Sequence, residues 1–152
     1  MYFQGRCRPY LYKQTKGMGK PVFMHTRVRV SDLDGSIDWY VKHLGFVVKS
    51  RSEKSPAGNQ VCHLELPGNE HTFELTYSDD YKLDVPDDLM HLAIGVPDLI
   101  GCCDKLEKDG VEIWPGDWRE TFPQGRKMAF IDDPDGYEIE LLERSESTPI
   151  GS

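Results

Sequence analysis

The fold of this chain is decided by a stretch that occurs twice, as MHTRVRVSDL at residues 24–33 and as MHLAIGVPDL at residues 90–99. The two copies lie 66 positions apart, and the same offset carries FELT at residues 73–76 onto IELL at residues 139–142. Such similarity at a fixed offset indicates an internal duplication, in which each half forms one structural module.

Each half contains one His and one Glu at matching positions. They are His25 and Glu74 in the first half and His91 and Glu140 in the second, with 49 positions between His and Glu in both. Taken singly, a His or Glu on a strand is usually a surface residue. Core packing gives no reason to repeat the pair, whereas one divalent ion bound by two imidazoles and two carboxylates does. The same donors suit nickel, cobalt or zinc.

The apolar pattern predicts the same order of elements in both halves: a strand, a helix and three further strands. Each helix carries an apolar stripe; the first begins after Asp32 or Asp34 and ends at Gly45, and the second ends at Gly110. The predicted strands cover residues 22–30, 46–51, 59–66 and 70–77, then 89–96, 111–114, 126–132 and 137–143. The sequence therefore predicts an α+β fold of two βαβββ modules in tandem.

The predicted organisation is a single domain between two terminal extensions. Module one covers residues 22–77, an Asp-rich linker covers 78–88, and module two covers 89–144. Residues 1–21 are interpreted as the remnant of a protease-cleavable tag followed by a mobile arm, and residues 145–152 as a tail.

Strand alternation predicts that the four candidate ligands share one side of the sheets. Glu74 and Glu140 each have apolar neighbours on both sides in the sequence, and these neighbours are expected to face the helices. The carboxylates then face the opposite side, and the alternation around His25 and His91 leads to the same result. A cleft on that side is expected to hold the ligand.

The three remaining histidines are weaker candidates for metal binding. His63 shares the cleft face by strand alternation and is expected beside the ligands or on the surface. His43 is expected in solvent on the outer side of the first helix, and His71 is expected to be exposed beside a turn.

Composition excludes several classes of partner. The net charge of −8 and the isoelectric point near 5.1 argue against nucleic acid and against an anionic membrane surface. No apolar run approaches the roughly 20 residues that a membrane-spanning helix needs. The four cysteines show no CxxC spacing and are interpreted as reduced thiols, which favours a cytoplasmic protein.

Four stretches together resemble the glyoxalase I (lactoylglutathione lyase) family of the vicinal oxygen chelate superfamily. They are MHTRVRVSDLDGSIDWYVKHLGF at 24–46, FELTY at 73–77, MHLAIGVPDL at 90–99 and AFIDDPDGYEIELLE at 129–143. The resemblance implies paired βαβββ modules with curved mixed sheets and helices outside. It also implies a homodimer in which His25 and Glu74 of one chain share a metal with His91 and Glu140 of the other. The short chain resembles compact bacterial members that use nickel or cobalt, although zinc remains open.

The resemblance also implies a reaction and further site residues. The substrate is the hemithioacetal of methylglyoxal and glutathione, isomerised to S-lactoylglutathione through an enediolate. Glu140 is implied as the base, with Glu74 able to share its work. Arg29 is implied to hold a glutathione carboxylate, and Arg27 is a second candidate for that role. Ser78 is implied to bind substrate as well, because it stands where close relatives carry an Asn that helps hold the glutamyl end of glutathione. Its side chain has a shorter reach, so the identity of the thiol stays open.

Other functions stay open at this point. One alternative is another metal-dependent enzyme of the superfamily, such as an epimerase or a lyase that uses a different thiol. Ring-cleaving dioxygenases and thiol transferases typically use two His and one Glu, so the two acids here favour an isomerase. A small-molecule binding protein without catalysis is the remaining alternative, and such relatives usually lose the metal ligands.

Overall fold

The computed structural model describes residues 21–119 and 127–144. Its elements are β1 (His25–Arg29), α1 (Leu33–Leu44), β2 (Val47–Ser52), β3 (Gln60–Glu65), β4 (Thr72–Tyr77), β5 (His91–Val96), α2 (Leu99–Lys108), β6 (Met128–Asp132) and β7 (Glu138–Glu143). Residues 1–20 of the segment predicted as tag remnant and arm (1–21), and the tail predicted at 145–152, lie outside the described residues. No helix in the described ranges is both long and apolar enough to cross a membrane.

The two helices begin in the same way because their capping residues are duplicated. Asp32 and Asp98 are the N-caps, and each carboxylate accepts a hydrogen bond at 3.0 Å from the backbone N–H three residues later. Gly45 ends α1 in the left-handed conformation, with φ of 74°. The predicted end of α1 at Gly45 is therefore confirmed, and Asp32 rather than Asp34 is its cap. α2 ends at Lys108 with Asp109 as its C-cap, and the predicted Gly110 follows in the left-handed conformation with φ of 85°.

The strands form one mixed sheet in each half. In module one the strand order is β1-β4-β3-β2, and in module two it is β5-β7-β6. The first strand of each module pairs with the last in parallel, and the other pairs are antiparallel. α1 packs against β2, β3 and β4, while α2 packs against β6 and β7. The predicted α+β class with mixed sheets is confirmed.

The strand predicted at 111–114 is reduced to a single bridge. Trp114 exchanges two backbone hydrogen bonds with Phe130, at 2.7 and 3.0 Å, and no longer ladder forms there. Pro115 follows directly and has no N–H to continue the pairing. Within the described residues, module two therefore has three strands where four were expected.

The modules are joined by a buried hydrogen bond. Tyr40 on α1 is fully buried, and its hydroxyl donates to Asp133 Oδ2 at 2.8 Å. The other oxygen of Asp133 accepts from the backbone N–H groups of Asp135 and Tyr137, both at 2.9 Å. Burial raises the pKa of the Asp133 carboxyl, and burial together with Asp133 raises the pKa of the Tyr40 phenol. The turn between β6 and β7 thereby fixes how module two sits on α1.

His43 also lies between the modules, which corrects the expectation that it is solvated. Its side chain is only 7% exposed, and Nδ1 lies 3.6 Å from Asp109 Oδ2 without a hydrogen-bond partner. Burial, followed by the charge of Lys42, lowers the pKa of the His43 imidazole, and Asp109 opposes this shift. Asp109, which follows α2, covers this part of α1, so the side chain is buried instead of solvated.

We expect His43 to make stability depend on pH. Because its folded pKa is lowered, the unfolded chain binds more protons, so its contribution is complete above about pH 6.5 and is lost as the pH falls below that value. Thermal unfolding of wild type and His43→Gln between about pH 8 and pH 5 tests this. Wild type should lose more stability on acidification than the variant. If the stabilities of the two proteins changed in parallel across this range, the expectation would be contradicted. The difference in stability between them at high pH, where His43 is neutral in both the folded and unfolded states, gives the cost of the altered packing alone.

Candidate metal centre

His25 and Glu74 form the first candidate half-site, on the side of the module-one sheet away from α1. They lie on adjacent parallel strands, and His25 Nε2 is 3.4 Å from Glu74 Oε2. Phe73 and Leu75, on either side of Glu74, are buried on the helix side of β4. Thr76 donates a hydrogen bond to Glu74 Oε1 at 2.9 Å, which orients the carboxylate so that Oε2 faces the imidazole.

His91 and Glu140 repeat this arrangement in module two. β5 and β7 are adjacent parallel strands, and His91 Nε2 lies 3.6 Å from Glu140 Oε2. Ile139 and Leu141 are fully buried on the helix side. The two imidazoles are 45% and 47% exposed and the two carboxylates 13% and 16%, so the half-sites match in exposure as well as in spacing.

A single chain does not bring the two half-sites together. Among the described residues, the one group of three or more potential ligands whose donor atoms all lie within 4.8 Å of one another is His25, His63 and Glu74. His91 and Glu140 form no such group with the module-one residues. The structure therefore shows two separate pairs, both open to solvent.

His63 is the residue that sequence reasoning ranked too low. β3 and β4 are antiparallel with His63 directly opposite Glu74, and His63 Nε2 is 3.4 Å from Glu74 Oε2. Its ring also meets the His25 ring edge to face, with centroids 5.4 Å apart. The sequence signal that could have identified His63 was the strand alternation, which put it on the same sheet face as His25 and Glu74. The pairing register that makes it a neighbour of Glu74 was not readable from alternation alone.

The donor set fits a divalent transition metal. Imidazole nitrogen and carboxylate oxygen are ligands of zinc, nickel and cobalt. Two ligands bound to a tetrahedral zinc at about 2.1 Å are separated from each other by roughly 3.4 Å. The separations of 3.4 Å around Glu74 and 3.6 Å in module two match this spacing.

Arg29 and Ser78, both predicted as substrate-binding residues, lie in direct contact. Arg29 Nη1 donates to Ser78 Oγ at 2.8 Å, and the guanidinium carbon lies 4.1 Å from the centroid of the Tyr81 ring. The linker after β4 thus folds back over the end of β1. Sequence reasoning did not identify Tyr81, because nothing in a strand pattern predicts where the linker crosses the sheet.

Arg27 lines a cleft beside the first half-site. The cleft has a volume of about 460 Å³, and its lining includes His63 and Glu74 together with Arg27, Arg51 and Lys54. Three cations and one carboxylate therefore surround this space, in a chain whose net charge is −8. Arg51 is held by ion pairs with Asp34 and with Glu53. Those two carboxylates offset the charge of Arg51, so Arg27 and Lys54 are the lining cations that suit an anionic ligand.

Aromatic residues flank the second half-site. Phe130 lies opposite Glu140 in the β6–β7 register and meets the His91 ring edge to face at 6.3 Å. Trp114 stacks on Phe130, with centroids 4.5 Å apart and an interplanar angle of 15°. Module two therefore offers an apolar wall beside its ligands, whereas module one offers a basic cleft.

Comparison with known proteins finds relatives that match most of this chain. The probable lactoylglutathione lyase of Synechocystis sp. is 34% identical over 129 residues, covering 80% of this chain and 95% of the relative. The lactoylglutathione lyase of Escherichia coli O157:H7 is 33% identical and covers 82% of this chain and 93% of the relative. Several curated relatives are thus named as carbon–sulfur lyases, the predicted class of enzyme.

A solved structure extends the comparison to three dimensions. The trypanothione-dependent glyoxalase I of Leishmania major superposes with a TM-score of 0.65 at 34% identity, over 82% of this chain and 87% of that one. The family model described as Glyoxalase/Bleomycin resistance protein/Dioxygenase superfamily matches residues 22–141. The duplicated modules, the paired His and Glu and these relatives together confirm the predicted resemblance: the chain belongs to the Glyoxalase/Bleomycin resistance protein/Dioxygenase superfamily.

Proposed function

We propose that this protein is a metal-dependent lactoylglutathione lyase that isomerises the hemithioacetal of methylglyoxal and glutathione to S-lactoylglutathione. The observation that carries the proposal is the pair of equivalent half-sites, His25 with Glu74 and His91 with Glu140, at 3.4 and 3.6 Å. Curated relatives of nearly the same length bear the name of this enzyme, which supports the choice of reaction.

His25, Glu74, His91 and Glu140 hold the metal in this proposal. A bound divalent ion, with nickel or cobalt favoured and zinc as the alternative, supplies Lewis acidity that stabilises negative charge developing on two adjacent substrate oxygens. The residues of this chain bind and orient the ion and the substrate. Thr76, which holds Glu74 Oε1, fixes the direction of that carboxylate.

Glu140 moves the proton. Isomerisation moves two protons: one leaves carbon 1 of the hemithioacetal and returns to carbon 2, and the hydroxyl proton on carbon 1 passes to the oxygen on carbon 2, with an enediolate between the two steps. Glu140 accepts the proton on a carboxylate oxygen and redelivers it one carbon further along. Glu74 is the equivalent acid of the other half-site and can share this work. The apolar wall of Phe130 and Trp114 limits water around Glu140.

Arg29, with Ser78 and Arg27, binds the thiol part of the substrate. Glutathione carries two carboxylates at pH 7, and a guanidinium binds a carboxylate through two parallel hydrogen bonds. Arg29 is held in place by Ser78 and by Tyr81. Arg27 lines the basic cleft beside Glu74 and binds the second carboxylate of glutathione there.

The working unit in this proposal is a homodimer. Residues 22–77 act as module one and residues 89–144 as module two of one domain, joined by residues 78–88. Because the half-sites of one chain stay apart and half-exposed, module one of each chain meets module two of the other. Each dimer then contains two complete sites.

A lyase that uses a different thiol is the second candidate. Ser78 stands where close relatives carry Asn, and its shorter side chain contacts Arg29. The Leishmania major enzyme is trypanothione-dependent, and it is as similar to this chain as the curated bacterial relatives. The thiol therefore has to be tested separately from the metal.

The test is an ultraviolet assay of thioester formation after removal and separate restoration of nickel, cobalt and zinc. We expect the metal-free protein to be inactive and turnover to return with nickel or cobalt, using methylglyoxal and glutathione. Running the same assay with trypanothione distinguishes the two candidates. Metal analysis accompanies each sample, and a chain that takes up none of the three ions, or forms no thioester with either thiol, would refute the proposal.

A further inference from the structure

Module one contains a third donor atom, a second imidazole nitrogen, beside its His25–Glu74 pair. Glu74 Oε2 lies 3.4 Å from His25 Nε2 and also 3.4 Å from His63 Nε2, so two imidazoles converge on one carboxylate oxygen. All three donor atoms lie within 4.8 Å of one another. Nothing in the duplication requires this, since the residue opposite Glu140 in module two is Phe130, which cannot bind a metal.

A contact with Thr72 orients the His63 ring. Thr72 Oγ1 lies 3.3 Å from His63 Nδ1 and donates to the carbonyl oxygen of Met24 at 3.4 Å. With Nδ1 next to Thr72, Nε2 of His63 faces Glu74. A hydrogen bond from the second nitrogen is the usual way in which a metal-binding imidazole is oriented.

One carboxylate oxygen of the cluster is directed at two ring nitrogens. Glu74 Oε2 lies 3.4 Å from Nε2 of His25 and of His63, which is about the separation of two ligands on one tetrahedral ion. Glu74 Oε1 is already occupied by the hydroxyl of Thr76. The His63 side chain is 29% exposed and lines the 460 Å³ cleft, so an ion can enter from solvent.

We infer that module one binds a divalent transition metal on its own, through His25, His63 and Glu74. Two imidazoles and one carboxylate with open positions form a known set of ligands for such ions. The inference rests on the metal dependence proposed above and extends it. Five protein ligands would leave one of six positions, too few for two substrate oxygens. His63 therefore holds the ion in a chain whose module one is not docked against module two of another chain, and gives up its place when the second half-site of that other chain completes the site.

The experiment removes the ligands of module two and asks whether an ion still binds. The double variant His91→Ala/Glu140→Gln, in the full chain, is loaded with cadmium-113 after labelling the histidine rings with nitrogen-15. We expect one cadmium per chain and scalar coupling from cadmium to two ring nitrogens, both Nε2. Adding His63→Ala should remove one coupling and lower the affinity for cadmium by about 10–100-fold or more.

His71→Ala is the matched control. His71 belongs to the same module, but it bonds to Thr26 and stacks on Phe23 instead of joining the cluster. In the double variant it should leave both couplings and the affinity unchanged. His63→Gln serves if His63→Ala does not fold, because its amide can still bond to Thr72 while the imidazole is gone.

The outcomes separate this inference from the proposed function. A folded double variant that binds no cadmium, or shows coupling to one ring nitrogen, overturns the inference even if the wild type binds metal and is active. Coupling to both His25 and His63 supports it even if the thioester assay fails. Circular dichroism confirms folding, which is expected because His91 is half-exposed and Glu140→Gln is nearly isosteric.

Discussion

Replacing Glu140 by Gln is expected to lower kcat by about 10²–10⁴-fold, the usual contribution of a general base. Gln keeps the size of the side chain and an oxygen donor, but it cannot accept the proton that leaves carbon 1. Since three ligands of the proposed site remain, the metal content should fall much less than the rate. The measurement pairs the thioester assay with metal analysis of the same samples.

Glu143→Gln is the matched control for this prediction. Glu143 lies on the same strand three residues later, points to the other face of the sheet and pairs with Lys127 at 3.3 Å. Removing its charge should leave both kcat and the metal content near the wild-type values. If Glu140→Gln retained wild-type turnover, Glu140 would not be the base, and Glu74 would become the candidate.

The sequence predicted the parts of the fold that depend on local chemistry. The caps at Asp32 and Asp98 and the stop at Gly45 are set by backbone hydrogen bonding within a few residues. Strand alternation also put Glu74 on the face away from α1, because its neighbours Phe73 and Leu75 are buried. These features need no knowledge of distant contacts.

What the sequence missed depends on contacts between distant segments. His63 became a candidate ligand only through the β3–β4 register, which sets it opposite Glu74. His43 is buried because the end of α2 reaches it, and no periodicity within α1 contains that information. The prediction of a strand at 111–114 was wrong for a local reason that the sequence does contain. Pro115 limits the pairing to a single bridge at Trp114.

Mixing two inactive variants is expected to restore activity if each site is built from two chains. One variant carries His25→Ala and Glu74→Gln, so its module one is inactive. The other carries His91→Ala and Glu140→Gln, so its module two is inactive. In a dimer of one chain of each kind, one site combines both intact modules and the other combines both altered modules.

The expected gain is large and has a fixed upper limit. Random exchange of equal amounts gives half of the dimers as mixed, each with one complete site of two, so activity should rise from background to about one quarter of wild type. The variants are combined unfolded and refolded together, and each variant refolded alone is the control. The separation of the half-sites within one chain is the reason to expect recovery, because a site within one chain would be incomplete in every molecule of the mixture. A mixture that stays at background, with dimers confirmed by sedimentation and each variant folded, would refute the shared site.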